Sequence, residues 1–75
     1  MNVKHIRGFL KRKPFRPFVI TTASGDRHDV THVEAISVSP EGDLVILWPP
    51  GGLVLVDVDQ ITEAAYDPRH APGAK

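Results

Sequence analysis

His28, Asp29, His32 and Glu34 are the one place in the chain where side chains of metal-ligand type crowd together. In a single extended stretch His28, His32 and Glu34 would share a face by the strand period of two. Two imidazoles and a carboxylate on one face are a donor set suited to Zn²⁺. Against this stands the chain's need to kink near positions 31–33 in passing from one strand to the next. A kink there breaks the alignment and leaves ordinary polar groups at a solvated strand end, so no metal or other cofactor is expected. The sequence has no Cys, which removes disulfides, thiolate metal sites and a cysteine nucleophile. Ser24, Ser37 and Ser39 fall in turn-forming or alternating polar segments without the glycine pattern of a nucleophile elbow. Gly51-Gly52 lacks the Lys-Ser/Thr and following helix of a phosphate loop. The residue types therefore predict a non-enzymatic protein.

The other chemistry on offer is electrostatic. Residues 1–16 carry Lys4, Arg7, Lys11, Arg12, Lys13 and Arg16 with no acid, a charge of +6. Positions 17–75 hold nine acids against Arg27, Arg69 and Lys75, a charge of −6, so the formal net charge of zero hides a basic front and an acidic body. Those six cations, with Phe15 or Trp48 as a stacking surface, are the candidate contacts for RNA or DNA. An acidic body repels extended nucleic acid, and self-neutralisation within or between chains is the expectation favoured here.

Any of these groups must be held by elements that the hydrophobic pattern defines. Val3, Ile6 and Leu10 recur at helical spacing with Phe9 beside them, Asn2 is placed to cap, and Pro14 ends the run, so an amphipathic helix is predicted over Val3 to Lys13. Lys4, Arg7 and Lys11 form a separate stripe on it. Pro14-Phe15-Arg16-Pro17-Phe18 is a stiff connector into a strand at Phe18–Thr22. Turn chemistry at 23–26 predicts a hairpin with Arg27–Thr31. Further strands are predicted at Val33–Ser39, Leu44–Trp48, Leu53–Asp57 and near Thr62–Tyr66, with a one-turn helix around 58–61 before the last. The longest apolar run, Leu44–Trp48, is cut by Pro49-Pro50-Gly51-Gly52, too short to span a bilayer. Neither a membrane span nor a secretory signal is predicted, and a cytoplasmic location is expected.

The order of a helix and about five short antiparallel strands predicts a mainly β fold: a small SH3-like or Sm-like barrel with the helix across one opening, or a strongly curved five-stranded sheet. Its 75 residues allow one domain, set at 1–66, with 67–75 as a flexible tail. So small a domain without disulfides gains from burying a strand edge or a helix face in a homo-oligomer.

The chain also resembles a group of short bacterial proteins with an N-terminal helix and a Pro-Phe-Arg-Pro-Phe connector, matched without change at Pro14–Phe18. Their Asp-Gly-Arg turn stands here as Gly25-Asp26-Arg27. Their Val-x-His-Pro-Glu segment is Val30-Thr31-His32-Val33-Glu34, and a Ser-Pro-x-Gly turn falls at Ser39–Gly42. A hydrophobic-Asp step at Val56-Asp57 completes the likeness, which covers about residues 3 to 66. It implies a standalone small domain and carries no assigned activity. The expected work is protein–protein contact with self-association. The alternative is weak, sequence-tolerant RNA or DNA binding through the basic helix.

Overall fold

Helix α1 spans Val3–Lys11, where the periodic apolar positions lie. Asn2 is extended and its side-chain oxygen accepts from the Lys4 N–H at 2.8 Å, satisfying one of the donors that a helix start leaves open. Ile6 is fully buried while Val3, Phe9 and Leu10 pack half-buried against the core. Arg12 is already extended, and the Lys13–Pro14 peptide is cis. The computed structural model describes residues 2–68.

Six strands follow: β1 Phe18–Thr22, β2 Arg27–Val30, β3 Ile36–Val38, β4 Leu44–Leu47, β5 Val54–Asp57 and β6 Ile61–Tyr66. They form two three-stranded antiparallel sheets, ordered β2-β1-β6 and β3-β4-β5. The protein is thus mainly β with one N-terminal helix. Alternation sets the inner faces: Phe18 and Ile20 of β1, Val30 of β2, Ile36 of β3, Val45 and Leu47 of β4 and Val56 of β5 all enter one core with Ile6, Val58 and Ile61. The connector does what its composition predicts. Phe18 is fully buried, stacked on Phe9 of α1 with ring centroids 4.6 Å apart, and Phe15 meets Phe18 edge-on at 6.1 Å.

Three departures from the sequence reading concern the joints. Residues Val33–Ala35 form a 3-10 turn and not the start of a strand, so β3 is only three residues long. Each of the six strand segments predicted has its counterpart, but among the described residues the ladder divides into two sheets without a pairing that closes them into a ring. The ordered fold also runs past 66: Asp67 is buried and its N–H donates to the Pro17 carbonyl at 3.2 Å. The remainder of the expected tail, 69–75, lies outside the described residues.

The helix crosses the β3–β4 turn at Gly42, whose φ of +78° is left-handed. A Cβ built there would stand 3.2 Å from a Val3 methyl. Gly42→Ala therefore combines an unfavourable backbone with a crowded helix contact, and is expected to lower the urea midpoint by the equivalent of about 1–3 kcal/mol.

Candidate interaction surface

The β4–β5 hairpin carries the most exposed apolar surface among the described residues. Its register pairs Ile46 with Leu55 and Leu47 with Val54. Since Val45, Leu47 and Val56 point inward, Ile46, Leu55 and, one step beyond, Trp48 and Leu53 fall on the outer face. Trp48 is 46% exposed, Leu53 59% and Leu55 60%. The loop between them closes with the Gly52 N–H on the Pro49 carbonyl at 3.0 Å and Gly51 at φ +78°. Two adjacent prolines stiffen it. Trp48 keeps a strand-like bond, its N–H donating to the Ala35 carbonyl at 2.9 Å, so the ring is displayed from a fixed backbone. It also walls a groove of about 250 Å³ shared with Arg27, Asp29, Thr31 and Pro49. It is a displayed residue and does not plug the core.

Comparison with protein-family models, curated proteins and solved structures returns no match. What the surface does must come from its own geometry.

The basic residues divide into two sets. Arg7 reaches across to the Ser39 carbonyl at 3.3 Å, pinning α1 to the β3–β4 turn. The Arg16 guanidinium lies 3.9 Å from the centre of the Tyr66 ring and that of Arg12 5.6 Å from it, with Phe9 edge-on to the same ring at 4.8 Å. Arg16 Nε is buried and has no hydrogen-bond partner among the described residues, so ring stacking is the main contact shown for that cation. Arg7 and Arg16 thus serve the packing of helix and connector onto the sheets. Lys4, Lys11 and Lys13 remain exposed. Beside them, Lys4, His5, Gly8, Phe9, Ala64 and Tyr66 border an open, mostly apolar groove of about 460 Å³ between α1 and β6.

The structure does not gather the candidate metal ligands. His28 sits on β2 opposite Ile20, whereas His32 and Glu34 sit at and inside the 3-10 turn, where the period of two ends. No three His, Asp or Glu side chains among the described residues converge on a common point. The hydroxyls likewise serve turns. Ser24 Oγ lies 2.9 Å from Thr22 Oγ1 and donates directly to an Asp26 carboxylate oxygen at 3.1 Å. No imidazole stands between the Ser24 hydroxyl and that acid, so this is turn chemistry without a base. Ser39 Oγ accepts from the Asp43 and Leu44 N–H groups and donates to the Asp43 carboxylate, closing the turn that α1 crosses. No helix among the described residues is long and apolar enough to cross a membrane.

The outer-face patch was only partly legible beforehand. Its apolar residues are visible in the sequence, but which of them face outward depends on strand register. The parity of one hairpin decides it.

Proposed function

We propose that this protein is a non-enzymatic interaction module that works through protein–protein contacts, and that the outer face of the β4–β5 hairpin is its binding surface. The observation that carries this reading is the exposure of Trp48, Leu53 and Leu55 on neighbouring strand positions. Together they offer on the order of 300–400 Å² of side chain, the size at which an apolar patch on a monomer is often functional. Two of the three are branched aliphatics around one aromatic, a composition that gains affinity by leaving water.

We further propose that the two sheets are halves of an SH3-like or Sm-like barrel. When β2 and β3 are counted as one strand bent at the 3-10 turn, the spatial order β6-β1-β2/β3-β4-β5 is that of a five-stranded barrel left open between β5 and β6, with a 3-10 turn before the last strand. Helix α1 would then cover one opening.

Trp48 is the only tryptophan in the chain, so its fluorescence reports the patch directly. On raising the protein concentration from about 1 µM to about 1 mM, its emission is expected to move to the blue and its quenching by acrylamide to fall, equally at about 50 and about 500 mM salt. Full quenching at every concentration would remove self-association through this face. The second reading, RNA or DNA binding through the exposed Lys4, Lys11 and Lys13, is tested separately by titrating bulk RNA into the protein at several salt concentrations. Three phosphate contacts would give a slope of log K against log salt of about −2 to −3.

A further inference from the structure

Resting on the reading of the β4–β5 hairpin as the docking face, we propose that its occupant is a second copy of this chain. The two β5 strands pair antiparallel about a two-fold axis at Leu55. Every sheet edge invites pairing unless something guards it, and β5 is the unguarded one here. The β2 edge carries exposed charged Arg27 and Asp29, joined by a 3.2 Å ion pair. The β3 edge is three residues long and begins at a 3-10 turn. The β6 edge bears exposed Glu63. From Leu53 through Val56 the strand has no charge, no proline and no break in register, and its one charge, Asp57, stands at its end.

The main-chain bonds already present fix which groups of β5 are open. The Ser39 N–H donates to Leu44, the Trp48 N–H to Ala35 and the Val58 N–H to Asp43. Even-numbered residues of β4 therefore bond to β3, and odd-numbered ones to β5. The bonded β4–β5 pairs are Val45 with Val56 and Leu47 with Val54. What remains pointing outward from β5 is the N–H and C=O of Leu53 and Leu55 and the N–H of Asp57, whose carbonyl caps the 3-10 turn at Val58–Gln60. A groove of about 250 Å³ runs beside Leu55 and Asp57, with Ser24, Asp26 and His28 on its far wall, and among the described residues no strand pairs with this edge.

A second β5 satisfies this edge in register. With the two-fold at Leu55, Leu55 faces the partner's Leu55 as a doubly hydrogen-bonded pair. Leu53 and Asp57 face the partner's Asp57 and Leu53, where each Asp57 N–H donates to the opposite Leu53 carbonyl. The parity is right: residues opposite one another come from the same face, and the outer apolar stripe continues from Ile46 through Leu55 into the other copy. The charges are right as well, since the two Asp57 carboxylates are held about 14 Å apart along the strands. The chain's net charge of zero adds no overall repulsion. An interface of this extent falls below the standard size, the class of weak and transient contacts.

The absence of cysteine supplies the test. Leu55→Cys, oxidised at about 100 µM protein, is expected to convert mostly to a covalent dimer. The directly opposed Cα atoms are about 5.5 Å apart, within disulfide reach. Leu53→Cys, whose two copies lie about 14 Å apart in the same pairing, is expected to stay monomeric on a reducing-agent-free gel. In a second arm read by native mass, Leu55→Lys and Leu55→Glu are each expected to be monomers and their equimolar mixture a one-to-one dimer. If the mixture stays monomeric while the parent chain dimerises, or if Leu53→Cys cross-links in place of Leu55→Cys, the two-fold at Leu55 is overturned and hairpin docking survives. A parent chain that is monomeric by native mass at about 1 mM overturns self-association itself.

Discussion

Phe18→Ala is expected to leave the domain largely unfolded at 37 °C. Phe18 is fully buried at the point where helix, connector and first sheet meet, stacked on Phe9 at 4.6 Å and touched edge-on by Phe15. Truncating a buried aromatic costs about 3–5 kcal/mol, the lost transfer energy plus the cavity left behind. A chain of this length has a total stability of only about 4–11 kcal/mol, so the loss takes about a quarter of it at best and exceeds it at worst. Each kcal/mol moves the midpoint of so small a domain by about 4–8 °C, which makes the expected fall in Tm at least about 12 °C by circular dichroism. The stacking itself is separable. A double-mutant cycle between Phe9→Ala and Phe18→Ala should return a coupling of about 0.5–1.5 kcal/mol, the share due to ring–ring geometry beyond area. A Tm within a few degrees of the parent would mean that the connector is not the anchor its burial implies.

The contrast between Phe18 and Val33 shows what the sequence could and could not announce. The connector is legible because its information is local: two prolines fix φ, two aromatics demand burial, and the strand begins where the second aromatic stands. The helix is legible for the same reason, its apolar residues repeating at 3.6 with an Asn cap before them. Val33-Glu34-Ala35 carries the same alternation of apolar and polar as a strand, yet forms a 3-10 turn with Val33 exposed. The chain has to pass from one sheet to the other there, and that need is set by β1 and β4, which are distant in sequence. Pattern alone cannot see it. The same applies to the cations. Arg7 and Arg16 read as phosphate contacts by composition, but their partners, the Ser39 carbonyl and the Tyr66 ring, stand 32 and 50 positions away. Charge counted along the chain overstates what is free on the surface.

That division of the cations also bears on function. With Arg16 stacked on Tyr66 and Arg7 spent on the helix–turn contact, the basic end of the molecule acts as a clasp holding α1 to the two sheets. The apolar display is on β4 and β5. No α1 residue borders the groove beside β5, so the clasp and the display are separable by mutation. A lesion in one should leave the other standing.

Ile6→Ala tests that separation, and its expected effect is the undocking of α1 without loss of association. Ile6 is the one fully buried residue of the helix, packed into the shared core, and its truncation costs about 2–5 kcal/mol. A nine-residue helix is marginal in water, and Gly8 within it costs about 1 kcal/mol more relative to Ala. The helix therefore exists only while docked, and the energy removed at Ile6 is drawn from the docking equilibrium before it is drawn from the sheets. Amide exchange of positions 7–11 is expected to speed up by about 30-fold to several thousand-fold, while β1 and β4 amides slow their exchange as before and the concentration-dependent shift of Trp48 emission persists. Because Phe9 leaves with the helix and uncovers Phe18 and Tyr66, a modest loss of global stability accompanies the undocking. If helix and sheet amides instead accelerate together by the same factor, α1 belongs to a single cooperative unit with both sheets. The clasp then cannot be opened without unfolding the surface that β5 presents.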